Sequence, residues 1–305
     1  MSRERTSEWH PRRARSLNAW GSLEFMATVP DPFPAVAVPS VPAGSSDRTP
    51  ALTTSADPDP VSVVRSGGRA DLLLVGDHAG NAIPEGLGDL GVGADDRARH
   101  IAWDIGVRSL GERMAVLLDA TFVCQSFSRL VIDCNRDPRS PEAILPVSDG
   151  TPVPGNVGLG DDAREQRRLA VHAPYHERIA AEIDLRRRPG GGLPLVVALH
   201  SFTPALRSGG AQARPWHVGV LHDAGDTRPS RALLARLARE ADLTVGDNQP
   251  YSMDGTDYTI ARHAYRRGLP YLELEFRQDL LGDGDGALHW ATRCAGWIRD
   301  VLESL

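Results

Sequence analysis

The stretch DLLLVGDHAGNAIP, Asp71 to Pro84, decides the fold. Its apolar run from Leu72 to Val75 is too short for a helix and does not alternate, so it reads as a buried strand of a parallel sheet. Gly76 ends the run, Asp77 and His78 follow, and Gly80 and Pro84 punctuate a loop. A histidine just past the carboxyl end of a buried strand stands where open α/β sheets bind their ligands. The same arrangement returns in LPLVVALHSFTP, where the run from Leu193 to Leu199 delivers His200.

Upstream of this stretch, residues 1–68 are rich in Pro, Ser, Ala and Arg and keep neither a helical nor a strand period. Pro30, Pro32, Pro34, Pro39, Pro42, Pro50, Pro58 and Pro60 oppose regular structure, so a disordered leader is expected, with Met26 as an alternative initiator. Downstream, apolar residues at helical spacing fill 94–118, and His100 and Asp104, four apart, would share one face. Strands are expected at 120–124 and 130–132, then a long Pro/Gly-rich loop over 137–160. A helix over 161–187 precedes the His200 strand. Further strands are expected at 216–221, 243–245 and in LPYLELEF, with helices near 230–240, 258–267 and 287–302. Strands alternating with helices at this rhythm indicate one α/β domain over 69–305, a doubly wound mixed sheet.

The formal net charge of −6 argues against nucleic acid as a partner. All 34 basic residues are arginines, a side chain suited to gripping planar carboxylates. Cys124, Cys134 and Cys294 are scattered and odd in number, which fits reduced thiols in a cytoplasmic protein better than a disulfide framework. No apolar run approaches membrane-spanning length, and the arginines near the start lack a following apolar signal core.

His78 and His200 suit a divalent metal, zinc above all, which takes histidine nitrogens and a carboxylate and keeps a position for water. Asp104, His100, Glu85 and Asn81 are the candidates for the third ligand; Asn81 is the weakest, because an amide oxygen is a poor zinc ligand. In LELEFRQD, strand alternation puts Glu273, Glu275 and Arg277 on one side. Glu275, nearer the strand end, is the better general base, whereas Glu273 reads as an ion-pair partner. In SRLVIDCNR, Arg129, Asn135 and Arg136 bracket an apolar run and supply donors suited to a carboxylate or an oxyanion.

GDHAGNAIP, HIAWDIG, SRLVIDCNR, SDGTPVPGN, LHSFTP, RPWHVGVL, GDNQPYS and EFRQDL together resemble the N-formylglutamate amidohydrolase family, related to zinc carboxypeptidases and aspartoacylases. The resemblance runs from about Asp71 to the C-terminus. It implies a phosphorylase/hydrolase-like α/β fold and metal-assisted amide hydrolysis. On the matching positions, His78 and His200 resemble the metal histidines, Glu275 the general base, Asn135 and Arg136 the substrate-carboxylate grip, and Arg129 the arginine facing the oxyanion. Arg277 joins them as a substrate-binding candidate. The carboxypeptidase relatives carry a glutamate three residues after the first histidine, where this chain has Asn81; Asp104 is favoured as the third ligand because helix placement beside the sheet's carboxyl edge could aim it inward, with His100 the runner-up.

The expected function is therefore metal-dependent removal of the N-acyl group from an amino acid, with N-formylglutamate as the lead substrate. Deacylation of another N-acyl amino acid is the second enzymatic reading. A metal-free small-molecule-binding relative is the reading from a different class.

Overall fold

A computed structural model of the chain describes residues 52–187, 193–207, 213–282 and 284–305. Its strands are β1 (Val61–Val64), β2 (Leu72–Gly76), β3 (Thr121–Gln125), β4 (Val147–Ser148), β5 (Thr151–Pro152), β6 (Leu195–Phe202), β7 (Val218–Leu221), β8 (Val245–Asp247) and β9 (Tyr271–Arg277). Its α-helices are α1 (Ala94–Arg97), α2 (Val107–Leu118), α3 (Asp161–Arg167), α4 (Ala173–Arg186), α5 (Arg228–Leu237), α6 (Thr259–His263) and α7 (Gly284–Ser304). Seven strands form one sheet in the order β1-β3-β2-β6-β9-β7-β8, while β4 and β5 make a separate small ribbon. The central β3, β2, β6 and β9 run parallel, and β1 and β7 are antiparallel to their neighbours β3 and β9. The mixed α/β architecture is the expected one.

The strands are apolar on both faces because both are covered. Leu72, Leu74, Val197, Leu199, Leu272, Leu274 and Phe276 pack with Leu110 and Met114 of α2, Leu233 of α5, and Trp290 and Ile298 of α7. The alternate residues Leu73, Val75, Val196, Ala198 and Tyr271 pack with Tyr175, Ile179 and Ile183 of α4 and Ile260 of α6. Asp77, His200, Glu273 and Glu275 continue the second set, so the polar groups emerge on the α4/α6 face at the sheet's carboxyl edge.

Four local expectations are corrected. Residues 1–51 of the expected leader lie outside the described residues, but its last part is not irregular: β1 pairs along β3, from Val61 with Gln125 to Val64 with Phe122. The helix expected over 94–118 is interrupted, because the chain turns from 98 to 106 and restarts after Gly106 at φ 86°, a left-handed conformation that favours glycine. His100 and Asp104 therefore do not share a helix face. Leu130–Ile132 is a buried turn rather than a strand, with the Val131 N–H bonded to the Ser128 carbonyl. The segment expected to be a loop over 137–160 carries the β4–β5 ribbon. The three cysteines are buried and unpaired, and no helix among the described residues is long and apolar enough to cross a membrane.

Candidate active site

Three parallel strands bring the site together. Val75 pairs with Ala198, so the chain leaving β2 runs beside the end of β6. On the other flank of β6, His200 is the register partner of Glu275 and Ala198 that of Glu273. The loop carrying His78 lies flat against the exit of β3 because Gly80 has no side chain: a β-carbon there would collide with the Ser126 backbone. The Ala82 and Ser128 main-chain bonds then tie this loop to the segment bearing Arg129.

Ligating atoms of His78, Asp104 and His200 lie within 4.8 Å of one another, and all three residues are buried. His200 Nδ1 is 3.1 Å and His78 Nδ1 3.5 Å from the same oxygen, Asp104 Oδ2. The Asp104 N–H donates to the His78 carbonyl, and Asp104 Oδ2 also accepts the Ser201 N–H, so a turn rather than a helix aims this carboxylate inward. Each imidazole turns its other nitrogen to a second carboxylate. His78 Nε2 is 2.7 Å from Asp133 Oδ1, and His200 Nε2 is 3.3 Å from Asp77 Oδ2. Asp77 is held in turn by the Thr259 hydroxyl, 2.8 Å from Oδ1.

This donor set fits a divalent cation. Two histidines and one carboxylate converge, each histidine is backed by a carboxylate as metal-bound imidazoles usually are, and the buried His78 Nδ1 has no hydrogen-bond partner among the described residues. The electrostatics agree. Burial disfavours charge on both imidazoles and Arg129 opposes it on His78, yet the surrounding aspartates outweigh these effects and raise both pKa values. The centre thus favours positive charge.

Arg129 forks onto Asp133 Oδ2 through Nε at 3.1 Å and Nη2 at 2.6 Å, with Nη1 3.5 Å from Asp104 Oδ1. Burial works against ionisation of Asp133, but Arg129 and His78 hold its pKa well below the usual carboxylate range. Glu275 is in the opposite situation: burial pushes its pKa up to about 7, and Oε2 is buried with no hydrogen-bond partner among the described residues. Burial likewise raises Glu273 well above the ordinary carboxylate range.

His78, Asp104, His200, Arg129, Glu273 and Glu275 line a cavity of about 380 Å³, within the usual size of small-molecule sites. Asn135 and Arg136 form one wall. Asn135 Oδ1 accepts the Tyr258 and Thr259 N–H groups, each at 2.9 Å, which fixes the amide with Nδ2 toward Asp257 Oδ1 at 3.2 Å. Arg136 Nη1 lies 3.6 Å from the same Asp257 oxygen.

Of the residues singled out from sequence, the fold gathers His78, Asp104, Arg129, Asn135, Arg136, His200 and Glu275 around this cavity. Arg277 does not join them: its Nε donates to Asp279 at 2.8 Å, two residues on, which draws the guanidinium away from the lining. Glu85 is at the surface with Thr54, Asn81 donates to the Arg97 carbonyl, and His100 faces Asp149, so none of these alternative ligands reaches the centre. Asp77, Asp133 and Asp257 carry no assignment from sequence, although Asp77 and Asp133 sit inside the very motifs read for their neighbours.

A family model described as N-formylglutamate amidohydrolase matches residues 70–281. Among solved structures, a gene product of Agrobacterium tumefaciens is 36% identical, with 83% of this chain and 98% of that one covered at a TM-score of 0.78. An N-formylglutamate amidohydrolase from Ralstonia eutropha JMP134 is 22% identical, with 79% of this chain and 98% of that one covered at a TM-score of 0.54, a likeness of fold. No curated protein matches. The family match takes in β2, β6 and β9, the three strands whose ends carry the polar groups. The chain is a hydrolase of amide bonds and belongs to the N-formylglutamate amidohydrolase family.

Proposed function

We propose that the protein is a metal-dependent deacylase of N-acyl amino acids, with N-formylglutamate as the lead substrate. The observation that carries this reading is the convergence of His78 Nδ1 and His200 Nδ1 on Asp104 Oδ2, with Asp133 and Asp77 behind the two rings. His78, Asp104 and His200 would hold the cation, zinc above all, which commonly takes two histidine nitrogens and a carboxylate oxygen. When bound, such an ion supplies Lewis acidity, acidifying water and polarising an acyl carbonyl.

The remaining chemistry belongs to side chains. Glu275, unpaired at Oε2 and with a pKa pushed up to about 7, is matched to taking a proton from the attacking water and passing it to the leaving amine. Arg129, anchored by Asp133, presents Nη1 to the cavity as a donor for the oxygen that gains charge when water attacks. Asn135 Nδ2 and Arg136 supply donors for the amino acid's carboxylate.

A second reading, deacylation of a different N-acyl amino acid, is favoured by Asp254 and Asp257. Both line the cavity near Arg136, adding negative charge where a second substrate carboxylate would come. The test of both is metal analysis by mass spectrometry on purified protein, followed by a panel of N-acyl amino acids that includes N-formyl-L-glutamate. Metal-bound protein hydrolysing at least one member supports the proposal. Metal-loaded protein that hydrolyses none of them overturns it.

A further inference from the structure

Behind the Asn135–Arg136 wall lie three buried histidines that no step above uses. His172 closes a π-helical turn, Arg168–His172, that joins α3 to α4; His176 follows in α4; His263 ends α6. The rings of His172 and His176 lie 4.4 Å apart by centroids, and those of His176 and His263 are near parallel, 15° apart in plane, with centroids 5.2 Å apart. His172 Nε2 is 3.0 Å from the Arg136 carbonyl oxygen, His176 Nε2 is 2.9 Å from that of Cys134, and His176 Nδ1 is 2.9 Å from His263 Nε2.

The proton positions follow from chemistry. A carbonyl oxygen only accepts, so His172 and His176 both carry hydrogen on Nε2. In neutral His176 that leaves a lone pair on Nδ1, and His263 must donate from Nε2. The rings are neutral because burial depresses their pKa values, to about 4 for His172, about 3 for His263 and well below the ordinary value for His176. The two carbonyls held this way flank Asn135. From the other side, the start of α6 donates the Tyr258 and Thr259 N–H groups to Asn135 Oδ1, and the end of α6 donates through His263. One short helix and one histidine pair therefore clamp the same three residues. A π-helical turn, uncommon and frequent at functional sites, begins the face that carries His172 and His176.

We infer that His172, His176 and His263 are positioning residues, which hold the Cys134–Arg136 main chain so that Asn135 and Arg136 present their donors to the substrate's carboxylate. The inference rests on the reading of that pair as the carboxylate grip. Leucine would fill the same volume at lower desolvation cost, but it would leave a buried carbonyl unsatisfied and the wall free to shift.

The experiment compares His172→Leu and His176→Leu with His172→Gln and His176→Gln, whose amide N–H groups reach toward the same carbonyls. The probes are N-formyl-L-glutamate and its α-carboxamide analogue, which lacks the gripped carboxylate. For each Leu variant KM for the acid should rise about tenfold, the size of one lost hydrogen bond, with kcat and zinc content little changed. Preference for the acid over its amide should shrink, and the Gln variants should restore it. Equal loss on acid and amide, or Gln variants as impaired as Leu, would overturn the inference. Should His176→Leu not fold, His172→Leu carries the test, since it leaves the His176–His263 pair intact.

A second readout needs no turnover. The Tyr258 and Thr259 amides bond to Asn135, so their hydrogen exchange should quicken in the Leu variants and not in the Gln variants. Unchanged exchange in the Leu variants refutes the clamp even where N-formyl-L-glutamate proves not to be a substrate. Absence of hydrolysis with quickened exchange refutes only the proposed function.

Discussion

His200 and Glu275 are register partners on adjacent parallel strands, yet they are treated in opposite ways. Asp104 and Asp77 stand on both sides of the His200 ring, whereas no described residue bonds the buried Glu275 Oε2, which leaves that oxygen for something that arrives. In the proposed mechanism that is the attacking water. Glu275→Gln keeps the shape but cannot accept its proton, so kcat should fall ~10²–10⁴-fold with metal content unchanged. A base acts when deprotonated, so activity should rise with pH through a limb at about 7, and lower once a cation adds positive charge nearby. The check is kcat/KM against pH for both proteins. Wild-type turnover in Glu275→Gln alongside its loss in Glu273→Gln would move the base to Glu273.

The metal centre can be tested residue by residue. His78→Ala, His200→Ala and Asp104→Ala should each lose most bound metal while far-UV circular dichroism stays near wild type. Glu85→Ala and Asn81→Ala should keep it, since Glu85 meets Thr54 at the surface and Asn81 meets the Arg97 carbonyl. Full occupancy in the first three, by mass spectrometry, would dismiss the ligand assignment.

Asp133 is expected to matter nearly as much as a ligand. Its Oδ1 takes His78 Nε2 and the Asn135 N–H, and its Oδ2 takes Arg129, so one carboxylate would orient the proposed metal centre, grip and oxyanion donor together. Asp133→Asn retains the volume but loses the charge, and metal affinity should weaken ~10–100-fold. Competition with a chelator of known affinity measures this. An unchanged dissociation constant would reduce Asp133 to a structural role.

How legible all this was depends on which physical signal each residue left. His78 and His200 could be read because each terminates an apolar run, and strand ends at a carboxyl edge are where ligands sit. Asp104 is expected on a helix, but that helix ends at Arg97 and the carboxylate reaches the centre from the turn that follows. Asp77 and Asp133 act through contacts made only once separate strands and loops are side by side, and one sequence holds no trace of such pairings. β1 was hidden by the prolines before it and by its half-buried faces, which show no alternation. Leu130–Ile132 has strand composition, but the Ser128 carbonyl and hydroxyl capture the Val131 and Leu130 N–H groups in a turn.

The buried histidines make stability depend on pH. An exposed histidine in the unfolded chain titrates near 6.5, whereas burial holds His172 at about 4 and His263 at about 3. Arg168 and Arg262 press His172 down further and Asp133 opposes them; Arg262 and Arg267 do the same to His263 against Asp77. As pH falls below about 6.5 the unfolded chain binds protons that the folded one refuses, so stability should fall with pH until the folded values are reached. His78 and His200 have raised pKa values and shift stability the opposite way, so the measurement belongs on metal-loaded protein, where the proposed site would hold both as ligands. His263→Gln can still donate to His176 but has no proton to bind. Between about pH 7 and about pH 5 the wild type should therefore lose more melting temperature than His263→Gln does. Parallel melting curves for the two proteins across that range would mean that His263 titrates alike in the folded and unfolded chains, and that the neutral cluster is not a source of acid sensitivity.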